Sequence, residues 1–294
     1  MSQRNRPCPC GSGLRYKHCC GSLRNGAGAV AAETATAAVS QATPPEDSQL
    51  FEDMGRYREP HRGPAMAQRC ADLPAGDAPG LAAELGWAPP GLLVKPGYFD
   101  RQRCDAWREQ LAARPARPLM IKDVDPATGK AVKRLDPQRV TQAVDPGPLR
   151  ADIQRTLVAA YRDTIAPHYG RQLDWMEQPG VLKYGPGGKY DAHADDAWWD
   201  VDRRRWVRSI DRDLSLLLYL NEDFEGGGLW FPNFDVRLQP AAGMLIAFPS
   251  DHRFLHAAEP VESGERFALV CWATVRGSPR VGAPPGGAIR SAPP

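Results

Sequence analysis

The sequence predicts a mainly β fold, a sandwich or barrel of short strands with a helical buttress, and three observations predict it. From residue 180 onward, short apolar runs are separated by Gly, Pro, Asn and Asp, the pattern of strands joined by turns. Two stretches of helical periodicity come before them. The whole region from about 90 to 275 holds most of the aromatics and apolar runs of a folded core. Candidate strands are 181–184, 190–195, 213–220, 236–239, 244–248, 254–258 and 266–274. Asp100 is placed to cap a helix over 101–114, which carries Cys104, Trp107 and Leu111 at helical spacing. Residues 149–169 place Ile153, Leu157, Ala160, Tyr161 and Ile165 on one face of a longer helix. Helices followed by a run of short strands fit a sheet-on-sheet architecture backed by helices.

The chain has 294 residues, room for about two domains at ~150 residues each. Its formal net charge is +2, which gives no reason to expect bulk nucleic-acid or membrane binding. The longest strongly apolar run, 214–220, is interrupted by Ser215 and falls far short of the ~20 residues that span a bilayer. The first residues, MSQRNRPCPCGSG, lack an apolar stretch, so no secretory leader is expected and a cytoplasmic location is. Composition divides the chain into a cysteine cluster at 1–21 and an Ala/Pro/Gly-rich stretch at 22–85, read as a flexible linker. The folded domain at 86–276 follows, and then a tail at 277–294 read as disordered.

Four of the seven cysteines, Cys8, Cys10, Cys19 and Cys20, crowd the N-terminal cluster. In a reducing compartment such a cluster points to metal rather than disulfides. Four thiolates suit tetrahedral zinc, and Gly11-Ser12-Gly13 lets the backbone turn tightly around the ion.

A second metal site is suggested by YDAHADD at 190–196. Two imidazoles and one carboxylate on one face of an octahedron leave positions open for a cosubstrate and O2. On a regular strand, His193 and Asp195 point to one side and Tyr190, Ala192 and Ala194 to the other. Asp191 satisfies the same spacing as Asp195. DHRFLHAAEP offers both His252 and His256 as the second imidazole. Alternation alone leaves both choices open.

Residues 181–273 resemble the prolyl 4-hydroxylase-like branch of the 2-oxoglutarate/Fe(II)-dependent dioxygenases. The resemblance rests on VLKYGPGGKYDAHAD, RDLSLLLYLN, EGGGLWFP, VRLQPAAGMLIAF and HAAEPVESGERFALVCW in that order, with LVKPGYFDRQRCDAW as a looser entry segment. It implies a double-stranded β-helix (jelly roll, cupin-like) with supporting N-terminal helices. It also implies iron held by His193, Asp195 and His256, because Arg266 follows His256 by the family's ten positions. Arg266 would then bind the far carboxylate of 2-oxoglutarate, which suits a bidentate guanidinium. Tyr184 is implied as a hydroxyl partner of that cosubstrate, and Ser215 as a residue lining its pocket. The implied reaction uses Fe(II), 2-oxoglutarate and O2, admits ascorbate as reductant, and hydroxylates an unactivated C–H with release of succinate and CO2. A prolyl residue of a protein is the implied target. One departure stands out: Gly228, Leu229 and Trp230 replace the acidic residue and threonine usual after the paired glycines, which bears on substrate preference more than on iron.

Between the iron motif and the next strand, Trp198, Trp199 and Trp206 alternate with arginines in DAWWDVDRRRWVRSIDRD. In related hydroxylases this connection covers the active site, so these tryptophans are expected in a substrate lid. Its aspartates nearly cancel its arginines, so nucleic acid is not the expected ligand. The N-terminal CPCGSGLRYKHCCG resembles the SEC-C type zinc motif found at the C-terminus of the SecA translocation motor. Its basic neighbours would suit docking to a protein or ribosomal surface. Two competing functions are an oxygenase of a free amino acid or other small molecule, and a non-catalytic jelly-roll binding protein carrying a zinc adaptor.

Overall fold

The computed structural model describes residues 61–124 and 131–290. Cys8, Cys10, Cys19, Cys20 and the first part of the linker lie outside the described residues. Glu59–Trp198 with Trp206–Pro294 form one compact unit, and Met1–Arg58 with Trp199–Arg205 another. Of the second unit only 199–205 are described. There Asp200 accepts the backbone N–H of Arg203 at 3.0 Å and its guanidinium at 2.8 Å, and Arg204 takes the left-handed conformation of a tight turn (φ 49°).

Eight strands form the centre of the first unit: β1 (Gly180–Tyr184), β2 (Lys189–His193), β3 (Leu214–Tyr219), β4 (Leu229–Phe231), β5 (Val236–Leu238), β6 (Leu245–Pro249), β7 (His256–Ala258) and β8 (Arg266–Val275). The larger sheet contains the order β6-β3-β8-β1, and the smaller contains β5-β4-β7-β2. Pairing is antiparallel throughout, and the chain passes between the sheets as it proceeds. This is the jelly-roll order, two four-stranded sheets facing each other. The larger sheet is extended by Leu93–Lys95 beside β6 and by Gln142–Val144 and Ala116–Pro118 beside β1. The smaller is extended by Arg139–Val140 beside β2. Met120–Val124 and Ala131–Leu135 pair as a separate hairpin.

The period of two in β3 and β8 decides what each sheet face touches. Leu214, Leu216 and Leu218 on β3 join Phe267, Leu269, Cys271 and Ala273 on β8 in the apolar cluster under the helices. The alternate residues, Ser215, Leu217 and Tyr219 with Arg266, Ala268, Val270 and Trp272, face the other sheet. Helices α1 (Pro64–Gln68) and α2 (Pro79–Leu85) lie ahead of the expected domain start, at 86. Helix α3 (Arg101–Ala112) is capped by Asp100, which accepts the N–H of Arg103 at 2.9 Å, and buries Cys104, Trp107 and Leu111. Helix α4 (Arg150–Ala160) continues through a π turn at Tyr161–Ile165 into α5 (Ala166–Tyr169). The expected face, Ile153, Leu157, Ala160, Tyr161 and Ile165, is buried as a set. Each large apolar side chain so buried contributes roughly 1.5–3 kcal/mol. The Tyr161 hydroxyl lies 3.0 Å from the Leu214 carbonyl and 2.8 Å from that of Cys271, tying the helix to β3 and β8.

Two boundary expectations are corrected. Residues 61–85 are not linker: Met66, Cys70, Ala78 and Leu81 are buried in the apolar cluster that includes Phe231, Ile246 and Phe248. Nor is the tail free through 290. Ile289–Arg290 pairs with Leu173–Met176, Asp211 accepts the N–H groups of Val281 and Gly282, and Arg280 pairs with Asp174 at 2.9 Å. Among the described residues no helix is long and apolar enough to cross a membrane.

Candidate active site

β2 and β7 lie side by side, with His193 opposite His256 and Tyr190 opposite Ala258. Three steps on β2 therefore match two on β7: β2 carries a bulge. A bulge inserts one residue and re-aims the side chains around it. Tyr190 and His193, which simple alternation puts on opposite faces, are stacked with ring centroids 3.6 Å apart. The strand ends at His193, so alternation does not place Asp195 either. Its backbone N–H donates to the Ser250 carbonyl at 3.0 Å, and its Oδ2 accepts the Ser215 hydroxyl at 2.6 Å. Ser215 lies 2.8 Å from the Ser250 hydroxyl, and both serines are buried.

His193, Asp195 and His256 converge, with one ligand atom from each lying within 4.8 Å of the others. Both histidine Nε2 atoms lie 3.6 Å from the Asp195 carboxylate. The His193 Nδ1 sits 2.8 Å from the Asp191 carbonyl and the His256 Nδ1 3.0 Å from the Phe254 carbonyl. Those carbonyls can only accept, so each Nδ1 donates, and each Nε2 is the nitrogen that faces the carboxylate. Burial, with His193 beside it, pushes the His256 imidazole down to about 4, which leaves it neutral at ordinary pH. Burial alone would raise the Asp195 carboxyl. The neighbouring His256 and His193 outweigh it and hold Asp195 well below the usual carboxylate range. Two imidazoles and one carboxylate, with outer nitrogens already fixed by carbonyls, match the donor set of a divalent transition metal. The alternatives left open by spacing fall elsewhere. Asp191 pairs with Lys189 at 2.9 Å, and the His252 ring stacks on Trp206 at 5.4 Å.

Arg266 stands opposite Tyr184 across β8 and β1, its guanidinium 4.1 Å from the Tyr184 ring centroid and 5.9 Å from that of Tyr219. It is 2 % exposed. Nη1 donates to the Gly227 carbonyl, while Nε has no acceptor. Among the described residues no carboxylate pairs with it. A buried guanidinium without a counter-charge is costly, so an anionic ligand fits this position. Ser215, expected in the pocket of that ligand, has its hydroxyl engaged by Asp195.

A cleft of about 640 Å³ opens beside Asp195, with Tyr190, Arg139, Arg212, Val270 and Trp272 among its walls. The guanidinium of Arg212 lies 3.6 Å over the Trp272 ring and pairs with both oxygens of Glu177 at 2.5 and 2.8 Å. It also donates to the Asp195 backbone carbonyl at 3.4 Å. Arg139 lies 4.6 Å over the Tyr190 ring.

Residues 179–274 match the family model of the 2OG-Fe(II) oxygenase superfamily, and this span takes in all eight strands of the jelly roll apart from Val275, the last residue of β8. The chain carries a 2OG-Fe(II) oxygenase domain. Residues 4–22 match the SEC-C motif, which contains the four N-terminal cysteines. The oxygenase domain is similar to human prolyl 3-hydroxylase 3, at 39% identity over 94 residues, which is 29% of this chain and 13% of that protein. It is also similar to a putative prolyl 4-hydroxylase of Acanthamoeba polyphaga mimivirus, at 30% identity over 121 residues, 37% of this chain and 50% of that protein. The chain thus spans half or less of the length of these curated relatives. Among solved structures, a Pseudomonas putida prolyl-4-hydroxylase aligns with 22% identity and a TM-score of 0.42, covering 68% of this chain and 99% of that one.

Several residues of this oxygenase domain escaped sequence reasoning. Ser250, Arg139, Arg212 and Glu177 carry no spacing signal, because they reach the site from separate segments. The expected lid residues differ among themselves: Trp198 is 45% exposed, Trp199 half-buried, and Trp206 stacked on His252. The aspartates of this connection do pair with its arginines. Arg208 lies 2.9 Å from Asp213, 3.7 Å from Asp196 and 3.8 Å from Asp211.

Proposed function

We propose that the chain is an Fe(II)- and 2-oxoglutarate-dependent dioxygenase that hydroxylates a prolyl residue of a protein. The observation that carries this reading is the combination of the His193–Asp195–His256 cluster with a buried, counter-charge-free Arg266 inside one jelly roll. His193, Asp195 and His256 would hold the metal. Bound iron supplies the place where cosubstrate and O2 meet, and the overall reaction couples decarboxylation of 2-oxoglutarate to succinate and CO2 with hydroxylation of a C–H. Ser215 and Ser250 orient the Asp195 carboxylate, and the Asp191 and Phe254 carbonyls orient the two imidazoles. Arg266 would pair with the distal carboxylate of the cosubstrate, with the Tyr184 hydroxyl donating to the same group. The apolar walls at Val270, Leu182 and Trp272 exclude water from the reacting centre. The names of the relatives support proline as the target, and ascorbate is the natural candidate for a reductant.

We also assign zinc to Cys8, Cys10, Cys19 and Cys20, with the SEC-C module docking the enzyme to a protein or ribosomal surface in the cytoplasm. Trp198, Trp199 and Trp206 are proposed substrate contacts. The central test is succinate formation from 2-oxoglutarate with Fe(II), with wild type against His193→Ala and Arg266→Gln. His193→Ala should abolish turnover and Arg266→Gln should raise the KM for 2-oxoglutarate at least tenfold. Equal turnover by wild type and His193→Ala would overturn the reading.

A further inference from the structure

The cleft beside the metal cluster is lined by four arginines, Arg117, Arg139, Arg150 and Arg212, against two aspartates, Asp145 and Asp195. Two of the four cations are already answered. Arg150 lies 2.8 Å from Asp145, and Arg212 is held by both oxygens of Glu177. Asp195 is committed to His193 and His256. Arg117 and Arg139 remain without a carboxylate partner among the described residues. The Nε of Arg139 is buried and has no acceptor. Its guanidinium lies over Tyr190, and Tyr190 is stacked on His193, so one aromatic ring separates this cation from the metal cluster. A planar guanidinium on an aromatic face keeps its outer N–H groups free for a bidentate acid.

We propose that this cleft reads an acidic side chain of the substrate peptide, with Arg139 as its principal partner and Arg117 as a second. The proposal rests on the oxygenase reading above and adds a substrate class to it: a peptide bearing Asp or Glu close to the modified residue. An extended chain advances about 3.3 Å per residue, so the acidic residue lies within roughly three positions of the target. The cosubstrate is not the occupant, because its distal carboxylate has Arg266 to meet it. The cleft volume exceeds what a small dicarboxylate fills and lies within the roughly 300–1,000 Å³ of ligand clefts.

The test is fluorescence anisotropy on the full chain with three dye-labelled heptapeptides. Each has a central proline, with neighbours that are Glu, Gln or Lys. An oligothymidylate of the same charge as the Glu peptide is the fourth probe. The Glu peptide should bind at least tenfold more tightly than the Gln peptide in low salt, and the Lys peptide most weakly. Arg139→Gln should reduce the Glu-over-Gln preference to threefold or less, Arg117→Gln should reduce it partly, and Arg139→Lys should restore part of what Arg139→Gln loses. Equal binding of the Glu and Gln peptides overturns the proposal. So does an oligonucleotide that binds as tightly as the Glu peptide, or a preference that both glutamine variants leave intact. An Arg139→Gln defect confined to the KM for 2-oxoglutarate overturns it too. Wild-type succinate production without peptide is read separately. Its absence removes the oxygenase reading and leaves the peptide preference measurable.

Discussion

Ser215→Ala is the most exposed prediction of the metal site, because a single hydroxyl is asked to do a measurable amount. The Ser215 hydroxyl donates to Asp195 Oδ2 at 2.6 Å and is 2.8 Å from the Ser250 hydroxyl, with both serines about 1% exposed. A buried hydrogen bond to a charged acceptor is worth about 1.5–3 kcal/mol, and water cannot readily replace it in a site this closed. Loss of a group that supports a metal ligand costs about 10–100-fold in metal affinity, or about 1.4–2.7 kcal/mol. The two estimates agree, so the variant should bind Fe(II), or Co(II) as a redox-stable surrogate, about 10–100-fold more weakly. Anaerobic isothermal titration reads this directly, and the thermal midpoint of the metal-free protein checks that the fold survives. Ser250→Ala is the internal control. It leaves the Ser215–Asp195 bond in place and should cost only a few-fold. If Ser215→Ala binds metal within twofold of wild type, the serine pair does not hold Asp195, and the account of how that carboxylate is placed fails.

Further predictions concern other parts of the molecule. The described cysteines, Cys70, Cys104 and Cys271, are buried. Burial pushes the Cys70 and Cys104 thiols up to about 11 and raises that of Cys271 further. As the thiolate is the reactive form, all three should resist a thiol reagent at pH 8 until the protein unfolds. Zinc removal with a chelator should then release four fast-reacting thiols from the seven in the chain, and four fast thiols before chelation would refute a zinc site there. Tyr161→Phe removes the hydroxyl between the Leu214 and Cys271 carbonyls. It should cost about 1–2 kcal/mol in denaturant unfolding without altering the KM for 2-oxoglutarate. At Gly243 (φ +77°) an added Cβ would sit 2.1 Å from the Phe99 carbonyl oxygen, so Gly243→Ala should destabilise by more than about 2 kcal/mol. Trp198→Ala should raise the KM for a peptide substrate and leave metal affinity as it is, and unchanged peptide kinetics would count against a lid role.

Much of the fold was legible because the alternation in β3 and β8 is strict and both faces are buried. Leu214, Leu216 and Leu218 could only form one face. β4 was missed because three glycines precede it and only Leu229, Trp230 and Phe231 carry the signal. Residues 61–85 do not read as folded because composition averages over a segment, whereas packing needs only Met66 and Leu81 on two short helices and Cys70 in the turn after the first. The structure does bring the three expected ligands together, but not by the alternation that linked two of them in the sequence. Alternation along 190–195 does not survive the bulge that stacks Tyr190 on His193, and Asp195 lies past the end of its strand. Arg139 and Arg212 were invisible for another reason: their meaning lies in what they fail to pair with, or do pair with, across the fold.

The off-strand position of Asp195 has a consequence for how the protein matures. Its carboxylate points at the two imidazoles only when Ser215 on β3 and Ser250 just after β6 are both in place, and His256 arrives later still in the chain. Metal capture therefore reports on completed long-range closure rather than on any local segment. During synthesis the chain would remain blind to iron until nearly the whole jelly roll has emerged. A partly folded enzyme is thereby kept from acquiring a redox-active ion that it could not yet shield.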